Sequence, residues 1–401
     1  MLEVVRGRVA IGLITVFLAL AGPLTGALAG AVLVPIAGLD GRAVAIAGSL
    51  RTSDGGAIVV ARVGRSAAAR DGQIVVARLE SDGALDLAYG TEGLVSLTSG
   101  PLAPTALAID PRTGAAWIGA RSGRRGPGEI IALDGAGRAE RGFGRRGILR
   151  LPARDDGGPL ALAWSVGALF VAAGESPCAG CQLGLRVPRS GRPLAAVALP
   201  AADVAPSGCH GTSVSGAAFV GSRLALATSV TGGRGCAGTI LQLGHSLALL
   251  APAPAAAALP PGRSTTVAGA DGSTCAASSA PRGVAIRPLG ARPTIRSTLA
   301  PAGRLLALVA LGPDACAALI AGGRGATVAQ MQASERHAVT DRVPRDVTAL
   351  AMFRCNQHLL VLGTTASSGE RSAVILPVPV RRGPFARSAA IAAAPTTGCG
   401  G

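Results

Sequence analysis

Lysine is absent from this 401-residue chain: all 38 basic side chains are arginine, set against 22 acidic ones, for a net charge of +16. Arginine as the sole basic residue, beside abundant alanine and glycine, matches the codon usage of a GC-rich genome. The arginines are scattered in sequence, with only short pairs such as Arg124-Arg125, Arg145-Arg146 and Arg381-Arg382. Nucleic-acid binding draws on clustered basic residues or interleaved stacking aromatics, so no nucleic-acid partner is expected. Aromatic residues are scarce, with two Trp, one Tyr and six Phe. A core must therefore be filled by Ala, Val, Leu and Ile, whose small side chains suit closely stacked sheets. Long amphipathic helices are missing too, because no stretch holds an i, i+3, i+4, i+7 apolar pattern for several turns free of Gly or Pro. Neither an HExxH pair nor a GxSxG elbow occurs, and "GRSTTVAGADGS" at residues 262–273 lacks the ordered Lys of a phosphate cradle. No cysteine occurs ahead of Cys178.

What is present points to a folded, turn-rich, exported chain. With 49% hydrophobic and 15% charged residues the protein can bury a sizeable core, and its 58 glycines and 27 prolines supply many turns. At the N-terminus Arg6 and Arg8 precede "VAIGLITVFLALAG", followed by Pro23 and then Ala27-Leu28-Ala29. That is the basic, apolar and small-residue order of a secretory signal, and it predicts a signal peptide over residues 1–29 with cleavage after Ala29. The alternative is an uncleaved membrane anchor, since no charge falls between Val9 and Leu39. Pro23 and its neighbouring glycines weaken such a helix, and no cysteine near the segment supports a lipoprotein anchor.

A hairpin unit recurs along the mature chain: a short apolar strand, a turn, and a second apolar strand. It begins at Ala106, Ala161, Gly216, Thr265, Leu305 and Ala349, a nearly regular series. Turn residues such as Asp110-Pro111, Asp271-Gly272 and Pro313-Asp314 divide each pair of strands. A third apolar strand follows each hairpin, for example "QLGLRVP" or "AVILPVP", and then a less regular fourth. Four antiparallel strands repeating every 40 to 55 positions form the unit of a β-propeller blade. "GRAVAIAGS" with "AIVVARV" or "QIVVARL" supplies a further blade ahead of Ala106, the residues between the two alternatives reading as an insertion loop. The expectation is an all-β chain with one β-propeller domain over residues 30–401. Its seven four-stranded blades would lie near 30–97, 98–151, 152–204, 205–257, 258–300, 301–346 and 347–401. Six blades is the alternative, if the N-terminal region only completes the last sheet.

Sliding the chain by 54 positions lays "VVARLESDGALDLAYGTEGLVSL" (75–97) on "IIALDGAGRAERGFGRRGILRL" (130–151). Tyr89 then falls on Phe143, Gly90 on Gly144 and Gly93 on Gly147. Through Ala77, Arg78, Leu79, Asp82, Gly83, Leu85, Asp86, Tyr89, Gly90 and Gly93, the first copy resembles the delta-60 repeat of bacterial exported proteins. The second keeps Leu133, Gly137, Phe143, Gly144 and Gly147, with Ala136 and Glu140 where the first has Asp82 and Asp86. The resemblance spans about residues 42–151, and the later units have lost it. It implies a propeller-like β architecture and export, without an assigned activity or catalytic residue. The glycines read as turn and bulge positions.

Eight cysteines, Cys178, Cys181, Cys209, Cys236, Cys275, Cys316, Cys355 and Cys399, read first as four disulfides in an oxidising compartment. Pairing of neighbours in order is expected: Cys178 with Cys181, Cys209 with Cys236, Cys275 with Cys316, Cys355 with Cys399. "CAGC" at 178–181 with Cys209 and His210 could instead hold tetrahedral zinc or form a redox dithiol, but there is no second CxxC and no following helix. His245, His337 and His358 stand apart, and the Asp155-Asp156 pair offers too few oxygens for calcium. Trp117 and Trp164 read as packing residues. No cofactor is expected and no catalytic residue can be assigned. The reading is a monomeric secreted or cell-envelope binding or scaffolding module, with a protein or carbohydrate ligand at the propeller face and a membrane contact only if the N-terminal segment stays uncleaved. The alternatives are a propeller lyase or hydrolase with residues gathered at one mouth of the channel, or a membrane-anchored structural or sensor domain.

Overall fold

A computed structural model of the chain describes residues 34–35, 43–52, 56–64, 73–80, 84–97, 102–110, 112–122, 128–151, 159–165, 167–173, 182–192, 195–199, 209–220, 223–232, 240–244, 249–250, 264–270, 273–280, 283–289, 298–312, 314–332, 338–355, 358–367 and 370–380. The predicted signal segment lies outside them. Every regular element among these residues is a β-strand, as the lack of helical periodicity leads one to expect.

The strands form four-stranded antiparallel meanders, described here in chain order after the two-residue strand β1 (Val34–Pro35). The first sheet holds β2 (Ala43–Arg51), β3 (Ala57–Gly64), β4 (Gln73–Leu79) and β5 (Leu94–Leu97). The second holds β6 (Leu102–Ile109), β7 (Ala116–Ser122), β8 (Gly128–Leu133) and β9 (Ile148–Arg150). The third holds β10 (Pro159–Ser165), β11 (Ala168–Ala173), β12 (Gln182–Pro188) and β13 (Ala195–Leu199). The fourth holds β14 (Cys209–Val220), β15 (Arg223–Gly232), β16 (Ile240–Leu243) and β17 (Leu249–Leu250). The fifth holds β18 (Ser264–Ala270), β19 (Ser273–Ala280), β20 (Gly283–Pro288) and β21 (Thr298–Ala300). The sixth holds β22 (Arg304–Gly312), β23 (Ala315–Gly322), β24 (Gly325–Gln332) and β25 (Val339–Arg342). The seventh joins β26 (Val347–Cys355), β27 (His358–Ser367) and β28 (Glu370–Pro379) to β1, whose Val34 and Pro35 pair with Ile375 and Val374.

Two expectations about the N-terminal region change. "AIVVARV" and "QIVVARL" are not alternatives: they are β3 and β4, paired from Ala57↔Leu79 to Val63↔Gln73. Each run is apolar enough to be buried on both faces, so both serve as inner ladder strands. The N-terminal region also does two things at once, supplying a complete first sheet and, through β1, the fourth strand of the seventh.

Alternation along the strands distributes the core between neighbouring sheets. Ala57, Val59, Ala61 and Val63 of β3 pack with Phe353, Leu362 and Ile375 of the seventh sheet, whereas Ile58 and Val60 pack with Ile109, Ile118 and Ile131 of the second. The same arrangement repeats between every consecutive pair of sheets, through Trp117 with Leu169, Phe170 with Leu226, Ala225 with Ala276, Ile286 with Ala318, and Leu319 with Val361. A period of two thus puts successive side chains into two different interfaces. The first strands β2, β6, β10, β14, β18, β22 and β26 each touch the next, and β26 touches β2. Six of these first strands, all but β18, carry a register shift against their partner, as between Ile46 and Gly48 or Pro104 and Ala106. An extra residue at that point bends the strand and raises its twist.

Polar side chains and one disulfide link the sheets further. Cys275 of β19 and Cys316 of β23, both fully buried, are bonded to each other, with 6.0 Å between their Cα atoms. Thr274 Oγ1 donates to Phe219 O (3.1 Å), joining the fifth sheet to the fourth, and Gln330 Nε2 donates to Pro379 O (2.8 Å), joining the sixth to the seventh.

A candidate functional site at the turns of the first three sheets

The best-defined local structure outside the core is the corner between the third and fourth strands of each of the first two sheets. The recurrence seen in the sequence is reproduced there in several backbone bonds. Asp86 N–H donates to Arg78 O (2.9 Å) and Glu140 N–H to Ala132 O (3.0 Å); Tyr89 N–H donates to Asp86 O (3.0 Å) and Phe143 N–H to Glu140 O (2.9 Å). Thr91 and Leu94 exchange two backbone bonds, as do Arg145 and Ile148. Gly90 and Gly144 take φ values of 61° and 53°, and a Cβ on either would run into the carbonyl of Leu94 or Ile148. Glu92 and Arg146 hold left-handed φ values of 53° and 57° without being glycine, so the corner imposes its geometry on whatever residue stands there.

Each corner clasps the next sheet. Gly90 N–H donates to Ala136 O (2.9 Å), in the β8-to-β9 turn, and Gly144 N–H donates to Ser190 O (3.2 Å), in the turn after β12. The receiving turns are themselves closed by Gly137 N–H to Asp134 O (2.9 Å) and Gly191 N–H to Pro188 O (2.8 Å). Gly137 sits so close that a Cβ would lie 2.9 Å from the Gly90 nitrogen and 3.1 Å from the Tyr89 ring. The turn glycine therefore persists one unit beyond the stretch in which the repeat is visible. Gly83, Gly137 and Gly191 are evenly spaced, and that spacing was the available signal; the flanking residues "VPRSG" had diverged too far to carry it.

Aromatic rings anchor the two corners. Tyr89 and Phe143 occupy equivalent places and are 1% and 0% exposed. Among the described residues the Tyr89 hydroxyl has no hydrogen-bond partner. Burial pushes its phenol well above the usual range; Arg78 pulls in the opposite direction and Asp134 adds to the rise. Arg78 spans the first clasp, with Nε 3.2 Å from Asp86 Oδ2 and Nη1 donating to Gly135 O at 2.8 Å in the second sheet. Two carboxylates shape neighbouring turns. Asp110 accepts from Arg112 N–H (3.0 Å) and Thr113 Oγ1 (2.9 Å), and Asp134 Oδ1 accepts from Ala136 N–H (2.9 Å) and Arg138 N–H (2.8 Å). These are side-chain-closed turns of a familiar type.

The other candidates fall as follows. Cys178, Cys181, Cys236, Cys399, His245, His337 and the Asp155-Asp156 pair lie outside the described residues. Cys209 and His210 open β14, and Cys355 ends β26 opposite His358. Cys209 and His210 are thus strand residues, paired with Gly232 and Thr231 rather than standing in a loop. Among the described residues, no group of three or more His, Cys, Asp or Glu could hold a metal ion. Trp117 and Trp164 stack with centroids 4.1 Å apart and planes at 16°, across the second and third sheets, in the same apolar cluster. Such an offset pair is a packing contact.

Meandering four-stranded sheets, each packed on the next through alternate side chains, define the β-propeller class of all-β proteins. The chain is similar to virginiamycin B lyase from Staphylococcus aureus, with a TM-score of 0.52 at 13% identity over 86% of this chain and 99% of that one. It is also similar to the β-propeller domain of the Trilobed protease from Pyrococcus furiosus (TM-score 0.49, 7% identity, 82% and 97% covered). A third similar structure is the β-propeller domain of Cps50 (Swd1) from Myceliophteria thermophila (TM-score 0.47, 11% identity, 81% and 95% covered). At such identities the likeness concerns the fold alone. No protein-family model and no curated protein sequence matches the chain.

Proposed function

We propose that the chain is an exported, seven-bladed β-propeller, freed of its N-terminal signal after Ala29, that works as a binding or scaffolding module of the cell envelope or exterior. Seven sheets with touching first strands, and an apolar cluster between the last sheet and the first, support a closed ring of seven blades. Cleavage after Ala29 leaves Val34 and Pro35 in place to complete the seventh sheet. The disulfide between the fifth and sixth sheets fits an oxidising compartment.

The observation that carries the binding role is the pair of clasped corners. They hold exposed turn side chains on a backbone fixed by hydrogen bonds to the next sheet, and a surface ordered in advance loses little entropy when a ligand arrives. The described first strands, made of Ala, Val, Leu, Ser, Thr and Gly with a few other residues, carry no carboxylate and one imidazole, that of His210, which favours a module over a channel-mouth catalyst built on paired carboxylates. The test is expression with the native N-terminus in a bacterial host, followed by fractionation and N-terminal sequencing. Extracytoplasmic protein beginning at Gly30 is the expected result. Cytoplasmic protein beginning at Met1, with Cys275 and Cys316 reduced, would refute the reading.

A further inference from the structure

The fold gathers arginines that the sequence keeps apart. Arg141, Arg145 and Arg146 project from the second sheet's corner, and Arg189 and Arg192 from the third sheet's turn; all five are exposed. The Gly144-to-Ser190 hydrogen bond joins the two groups, with Arg145 following the donor and Arg189 preceding the acceptor. Of the five, Arg189 makes a polar contact, through Nη2 to Thr113 Oγ1 at 3.4 Å. Among the described residues, none of the five has a carboxylate within ion-pair distance.

The first sheet provides an internal control on whether these charges serve the fold. Its corner makes the bonds of Asp86, Tyr89, Thr91 and Leu94 that match those of Glu140, Phe143, Arg145 and Ile148, with Leu87, Thr91 and Glu92 where the second has Arg141, Arg145 and Arg146. Glu92 and Arg146 even share the left-handed backbone. The turns differ in the same direction. In the second sheet Arg138 lies 3.8 Å from Asp134, whereas in the third the equivalent Arg192 has Pro188 in place of that aspartate. Geometry is thus kept while charge becomes strongly positive, and like charges held together at a surface favour an external anion.

We propose that this basic corner binds a linear acidic polysaccharide, its arginines taking the carboxylate or sulfate groups of successive sugars. The proposal rests on the reading of the chain as an exported binding module. Guanidinium forks match such planar or tetrahedral anions in paired hydrogen bonds. The five residues stand on two exposed turns joined by one backbone hydrogen bond, which suits a polymer that touches several of them in turn. Among the described residues the one exposed large apolar side chain is Leu87, in the other corner, so the described residues here offer no wedge for a bilayer and no platform for stacking bases.

The test uses the full mature chain with polygalacturonate and chondroitin sulfate as probes, neutral dextran as the blank, and phosphatidylglycerol vesicles and duplex DNA as competing anions. Salt-sensitive binding of the acidic glycans is expected. Arg141→Leu with Arg145→Thr and Arg146→Glu installs the first sheet's residues and removes four positive charges; it should weaken glycan binding on the order of tenfold. Arg324→Glu with Arg345→Glu removes the same charge from exposed sites of the sixth sheet and should leave binding within about twofold. Equal loss in both variants, no loss in the first, or tighter binding of vesicles or DNA would overturn the proposal. Because the replacement residues already occupy an equivalent corner, folding should survive, and an unchanged denaturation midpoint verifies it. Export is read separately by fractionation, so failure of glycan binding in a correctly exported protein counts against this ligand alone.

Discussion

Replacing Tyr89 with phenylalanine should stabilise the protein. The ring is 1% exposed, and its hydroxyl is buried with no hydrogen-bond partner among the described residues. Leaving such a group unsatisfied costs about 1–3 kcal/mol, because the hydroxyl gives up water and gains nothing in exchange. Deleting one oxygen also removes a little packing, so the net gain for Tyr89→Phe is about 1 kcal/mol. Phe143 shows that the equivalent corner closes around a ring without a hydroxyl. Urea denaturation at neutral pH should raise the midpoint at constant slope. The pH dependence gives a second reading. Burial raises the folded-state value above the unfolded value of about 10, so the neutral phenol's contribution is complete below about pH 10 and is lost as pH rises beyond it. The wild-type protein should therefore weaken above about pH 10 relative to the variant, widening the gap between them. Tyr89 is the only tyrosine, so tyrosinate absorbance in the near ultraviolet reports this one group. A variant destabilised by more than about 1 kcal/mol, or a tyrosinate signal appearing near pH 10 before unfolding, would refute the argument.

Cys275→Ala with Cys316→Ala opens a loop whose ends are 41 residues apart, and the chain-entropy model puts the loss at about 4 kcal/mol; equilibrium denaturation under oxidising conditions measures it, and a loss below about 1 kcal/mol would contradict it. Both cysteines are fully buried, so thiol reductants should leave the bond intact in the folded protein and cut it once denaturant opens the sheets, as mass analysis after alkylation will show. Gly191→Ala places a Cβ against the Gly144 backbone at a φ of 72°, and should cost more than about 2 kcal/mol in the same denaturation assay. A neutral result would mean that the second clasp is not formed.

Strands were legible where apolar runs met a strong turn. "QLGLRVP" is β12, residue for residue, and the hairpin around Asp110 closes with Ile109 paired to Ala116. Legibility failed where pairing is remote or the pattern is polar. Nothing in Val34-Pro35 announces a partner at Ile375, because a two-residue strand has no period of its own. β14 extends back to Cys209 through "CHGTSVS", where polar residues hide the alternation until bulges after His210 and Val214 are allowed for. The clasps were legible only in part. Tyr89 and Gly90 stood out with their counterparts Phe143 and Gly144, but the carbonyls that receive the glycine hydrogen bonds belong to Ala136 and Ser190, ordinary residues whose role is set by position.

The grouping of the arginines was hidden for a related reason. Arg145-Arg146 and Arg189 belong to different copies of the repeating unit, and scattered in sequence is how they read. Repetition brings them near one another, because the corner of one sheet is hydrogen-bonded to the turn of the next. The consequence is general for this chain: a backbone bond kept from one copy to the next marks what the fold requires, and a side chain that changes over the same bond is free to serve something else. By that criterion Gly90 and Gly144 belong to the scaffold, and Tyr89 with Phe143 to its packing. The exchange of Leu87, Thr91 and Glu92 for three arginines belongs to neither, so any ligand chemistry at these turns has to be sought where the copies disagree.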